Sequence, residues 1–234
     1  CAILRQVQHK ENKPWLWSPR TSKDTVATPP LARLPGDERQ ALLDNLRHLS
    51  MGEIESFCRR HLIPYAIVVE TEDHVWKTTK DKDRKGVILG RIRHFLQTGV
   101  ILAATRFPRA VVCRDPLSER LAENDRLYYG QYDKTSLAMR SVLKRLTAGE
   151  FKDGAVARML ARDFWTRGEA PTFRQYATAW LQASREHAKP NAEWAFLFDK
   201  SNRTAGRDWR KLRADKAARV IEEMDRIIAG VESA

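Results

Sequence analysis

Apolar residues recur at helical spacing along most of the chain and give way to β-type alternation only between residues 66 and 113. That pattern restricts the chain to a mainly helical α+β fold with a small sheet. GDERQALLDNLRHL (36–49) predicts a helix capped by Asp37, and SMGE at 50–53 has the S-x-x-E form of a capping box opening a second helix. Ile54, Phe57 and Cys58 give this second helix its inward face, and Pro64 is the expected stop. AIVVETEDHVWKTT (66–79) holds two β-type runs around a polar turn, which predicts a hairpin, and VILAATRFPRAVVC (100–113) predicts one or two more strands. Between them a helix is expected over 83–97. Asp81 or Asp83 would cap it, Ile88, Ile92, Phe95 and Leu96 would face inward, and Thr98-Gly99 would close it.

Beyond Asp115-Pro116 the periodicity is helical, with helices expected near 136–146, 152–166, 172–187 and 206–229 and with Thr135 or Ser136 as a cap. The expected organisation is an extended Pro-rich arm over 1–35, a helix-hairpin-helix unit with short strands over 36–115, and a helical domain over 116–234. Trp15 and Trp17 in the arm are expected to dock on the body of the protein.

Charge narrows the partners. The chain carries 42 Lys and Arg against 30 Asp and Glu, a formal net charge of +12. The excess is spread over residues 1–189 rather than gathered in one tail, which points to a basic folded surface and a polyanionic partner. No run has the roughly 18 apolar residues of a membrane span. The three cysteines, Cys1, Cys58 and Cys113, form no paired motif, and a reducing cytoplasm is the expected setting, with nucleoid association if the source is bacterial. Cys58 and His61 are expected to be a buried thiol and a helix-end histidine rather than metal ligands.

The stretch KTTKDKDRKGVILGRIRHFLQTG places Lys82, Arg84 and Lys85 around a helix N-terminus, where the helix dipole disfavours cations. An anion lying across that end would reconcile them with it, because free N–H groups and cations bind phosphate together. MGEIESFCRRHLIPY, followed by TKDKDRKGVILGRIRHFL, resembles the SAP domain, a helix-extension-helix DNA-binding module, over about residues 50–99. The hairpin between the two helices departs from the family's short connection. The resemblance implies phosphate-dominated binding of duplex DNA. Arg59, Arg60, Lys77, Lys80, Lys82, Arg84, Lys85, Arg91 and Arg93 are then the expected phosphate contacts, positioning the protein without reading bases. A second candidate surface is DKSNRTAGRDWRKLRADKAAR (199–219), with Arg203, Arg207, Arg210 and Lys211 as its contacts. The apolar stripe further along the same helix is expected to be core or a homodimer seam.

No motif of a hydrolase, kinase, metalloprotease or dinucleotide enzyme is present, and neither a catalytic residue, a metal site nor a cofactor is expected. The expected function is non-catalytic binding of nucleic acid, with duplex DNA the favoured form. Two alternatives stand beside it: an adaptor or assembly subunit whose basic face meets an acidic protein or RNA, and a metal-dependent nuclease built on Glu70, Glu72, Asp73 and Lys77.

Overall fold

The computed structural model describes residues 28–187 and 206–232. The architecture is α+β and mainly helical. Its elements in chain order are α1 (Gly36–Asn45), α2 (Met51–Arg60), β1 (Ala66–Glu70), β2 (Trp76–Lys82), α3 (Lys85–Thr98), β3 (Arg106–Phe107), α4 (Leu137–Leu146), α5 (Ala155–Thr166), α6 (Phe173–His187) and α7 (Gly206–Glu232). The strands form one sheet of order β2-β1-β3, with β2 antiparallel and β3 parallel to β1. The 66–79 hairpin is therefore present, with β2 at the open edge of the sheet.

Local chemistry explains most boundaries. At α2 the Ser50 hydroxyl accepts from the Glu53 N–H while the Glu53 carboxylate accepts from the Ser50 N–H, a complete capping box. Gly99 closes α3 in the left-handed region at φ 74°, and Ser136 caps α4 by accepting from the Met139 N–H. Three expectations are corrected. Pro35, not Asp37, precedes α1, and Asp37 sits in its first turn. Helix α2 ends at Arg60, with Leu62 turning the chain at φ 55° before Pro64 is reached. The strands expected across 100–113 shrink to Arg106–Phe107, because Pro108 brings no N–H to a ladder and a 3₁₀ turn follows at Arg109–Val111.

Two apolar clusters hold the fold. The first gathers Leu31 and Leu34 with Leu42 and Leu46, Ile54 and Phe57 of α2, Ile88, Ile92 and Leu96 of α3, and Val220, Met224, Ile227 and Ile228 of α7. The tail of the Pro-rich segment is thus docked rather than extended, and the apolar stripe of α7 is covered by the chain's own N-terminal helices. The second cluster packs Ile67 and Val69 of β1 and Phe107 of β3 against α4, α5 and α6, with Trp165, Phe173 and Tyr176 at its centre. Trp15 and Trp17 lie outside the described residues.

A buried ion pair lies where the chain passes from one cluster to the other. The Arg91 guanidinium donates to Asp83 at 2.8 Å, to the carbonyls of Pro64 and Ala103 at 3.1 Å each, and to the Thr105 hydroxyl at 2.8 Å. Both side chains are almost fully enclosed. Asp83 is therefore not the cap of α3, whose N-cap is Arg84 without a side-chain capping bond. Arg91 is a correction of the same kind. Its place beside Ile92 on the inner face of α3 puts it inside the protein, not on a phosphate-facing surface.

Candidate nucleic-acid interface

The cations at the start of α3 have partners within the chain. Lys82 pairs with Glu55 of α2 at 2.6 Å, and Arg84 with Asp163 of α5 at 2.9 Å. The Lys85 ammonium donates to the Arg47 carbonyl at 2.7 Å, and burial, with Arg213 nearby, pulls its pKa below the usual lysine range. These side chains tie the end of β2 and the start of α3 to the elements around them. Arg60 pairs with Asp225 of α7, which also meets His61. Arg59 and Arg93 are exposed and form no ion pair among the described residues. Cys58 is buried, and its thiol is pushed up to about 11 by desolvation.

A different cluster of cations opens onto solvent. Between β2 and α5 lies a cleft of about 590 Å³. Its first wall is β2, where Lys77 is the Cα partner of Val69 and so extends the sheet face that α5 covers beyond the last packed strand. Lys77, Thr79, Lys80 and Asp81 line this wall. The opposite wall is α5. Ala157, Ala161 and Trp165 turn inward at spacings of four, and Arg158 and Arg162, one residue further round, fall on the rim. The Arg162 guanidinium donates to the Lys82 carbonyl at 3.0 Å, and together with the Arg84–Asp163 pair it clamps α5 to the end of β2. Arg114 joins from the connecting segment.

Aromatic rings make the floor. Trp165 donates its indole N–H to the Leu127 carbonyl at 3.1 Å, and Tyr129 and Tyr132 meet it edge-on with centroids 5.6 and 6.2 Å away. Both tyrosines line the cleft and are only half-buried. Their hydroxyls point to carboxylates, Tyr129 to Asp81 at 2.5 Å and Tyr132 to Asp153 at 2.7 Å. Desolvation first, and the Asp81 bond second, push the Tyr129 phenol up to about 12, and desolvation with the Asp153 bond raises Tyr132, so both stay neutral donors. Gly130 allows this loop to close. It adopts φ 97°, and a Cβ there would lie 2.4 Å from the Cys113 carbonyl oxygen, whose residue the Tyr129 carbonyl already holds through a 3.0 Å bond.

The electrostatic balance of the cleft is one-sided. Lys77, Lys80, Arg114, Arg158 and Arg162 face it with no ion pair among the described residues, and the carboxylate in its lining, Asp81, is engaged by Tyr129. Lys77 and Lys80 were legible in the sequence as candidate contacts. Arg114, Arg158 and Arg162 lie outside the expected contacts, and the signal for the last two is the i, i+4 repeat of arginines beside an alanine stripe. At the second expected surface, Lys211 is exposed on α7. The side chains of Arg207 and Arg210, and the whole of Arg203, lie outside the described residues. Glu70, central to a nuclease alternative, has its oxygens occupied by the Arg109 N–H at 3.0 Å and by His74 at 2.9 Å. Among the described residues, no group of three His, Cys, Asp or Glu side chains is placed to hold a metal ion, and no helix is long and apolar enough to cross a membrane. No family model, curated protein or solved structure matches the chain.

Proposed function

We propose that this protein binds nucleic acid, without catalysing a reaction on it, through the basic cleft between β2 and α5. One observation carries the proposal: five cations without an ion-pair partner among the described residues line a cleft whose carboxylate is already engaged by Tyr129. Unpaired cations held close together repel one another, and an arrangement of that kind is relieved by a polyanion that displaces condensed counterions as it binds. The resemblance of residues 50–99 to the SAP module supports the same function, with exposed Arg59 and Arg93 as additional phosphate contacts. A cytoplasmic setting, and the nucleoid if the source is bacterial, suits that work.

The test is a salt titration of binding to DNA and RNA oligomers with Mg²⁺ present. Changing Lys77, Arg114 and Arg158 together to Gln is expected to flatten the dependence of log K on log salt by up to about three, with the melting temperature preserved. An unchanged slope would remove the cleft from the interface. Oligomer cleavage by the parent protein, lost when Glu70 and Glu72 become Gln, would replace the binding function with a nuclease.

A further inference from the structure

The SAP resemblance implies duplex DNA, but the shape of the cleft points elsewhere. We infer that the β2–α5 cleft takes a single-stranded segment of nucleic acid, with a base against the Tyr129–Tyr132 floor and its phosphates along the two cationic walls. The inference rests on the cleft being the nucleic-acid site and adds the strand form that fits it.

Size is the first reason. A cavity of about 590 Å³ is of the order that holds one small molecule, so it admits a nucleotide and its neighbours' phosphates but not the convex rod of a double helix, which would touch the rim cations alone. The floor is the second. A duplex keeps its bases stacked on one another and offers phosphates to a protein, whereas an unpaired strand exposes base faces that stack on aromatic side chains. Half-buried tyrosines at the base of a cationic groove are of no use to a phosphate-only contact. Charge placement is the third. The cations are carried by three separate elements around the groove. Lys77 and Lys80 lie on the strand wall, Arg158 and Arg162 one turn apart on the helix wall, and Arg114 on the segment between, an arrangement that follows a backbone through the groove. The Asp81 oxygen left free by the Tyr129 bond adds an acceptor at the edge of the floor, where a base N–H group finds a partner.

The full chain is titrated by fluorescence anisotropy against an oligothymidylate about 12 nucleotides long and against a duplex of equal length at one salt concentration. The expected result is at least ten-fold tighter binding of the single strand. Equal or tighter binding of the duplex would overturn the inference and leave nucleic-acid binding standing, while binding of neither would overturn both. Thymidine monophosphate that competes as well as the oligomer would replace a strand with a mononucleotide. Tyr132→Leu is expected to weaken single-strand binding about five-fold or more, as loss of one stacked base does, and Tyr132→Phe to retain it. Equal losses in the two variants would sink the stacking role. An oligomer carrying 2-aminopurine reports stacking on the parent protein itself, and emission that stays constant at saturation would overturn the inference even if the leucine variant did not fold.

Discussion

Lys80 and Lys82 are two residues apart, yet they belong to regions of opposite character. Around Lys82, the cations from the end of β2 to the middle of α3 are spent inside the molecule: Lys82 on Glu55, Arg84 on Asp163, Lys85 on the Arg47 carbonyl and Arg91 on Asp83. Around Lys80, the cations of the cleft face solvent, and among the described residues Arg162 alone is bonded to the backbone of its neighbour. The difference teaches that a run of positive charge specifies nothing until the location of the carboxylates and carbonyls is known. A cation that holds two elements together is felt in stability, and a cation that waits for a ligand is felt in binding.

That distinction can be broken most decisively at Arg91. Replacing it with Met strands the enclosed Asp83 carboxylate and is expected to cost about 3–5 kcal/mol in urea denaturation, with the Asp83→Asn, Arg91→Met double variant recovering part of it. A loss below about 1 kcal/mol would show that Arg91 is not the internal pin. Gly130→Ala should come next, at roughly 1–3 kcal/mol, because it forces a side chain into the left-handed region against the Cys113 carbonyl. It is also expected to weaken nucleic-acid binding by moving Tyr129, and a variant as stable and as tightly binding as the parent would separate the loop from the cleft. The smallest effects are the sharpest comparison. Arg84→Gln should cost about 1 kcal/mol or less and leave the salt slope unchanged, whereas Arg158→Gln should hold stability within about 0.5 kcal/mol and flatten the slope by about one. The opposite pattern would exchange the roles of the two regions.

Much of the fold was legible because it is local. The Ser50–Glu53 capping box, the Gly99 stop, the Ser136 cap and the 3.6-residue spacing of α4, α5 and α6 are all written within a few residues of where they act. Asp83 departs from its sequence expectation for the converse reason. It is a good N-cap residue two positions before a helix, and its carboxylate turns inward only because the Arg91 guanidinium, itself held by Thr105, lies there to meet it. The cleft was half legible. Periodicity shows that Arg158 and Arg162 flank the buried stripe of α5, but it does not say which element lies opposite, and the Arg162 bond to β2 spans 80 residues.

The return of α7 sets an order of events on the folding of the chain. Arg33 donates to the Ile227 carbonyl across 194 residues, and Arg213 reaches the His48 carbonyl across 165. Contacts so distant in sequence carry a loop-closure cost that nearby helices do not, and they slow the search for the native state. During synthesis the first cluster has Leu46, Ile54 and Ile88 in place long before Val220 and Met224 exist to cover them. The cluster around Trp165 and Tyr176, whose members fall between residues 67 and 180, has no such wait. The middle of the chain thus has its packing partners earlier, and the apolar face of the N-terminal helices lacks its α7 cover, open to chaperones and to aggregation, until α7 emerges.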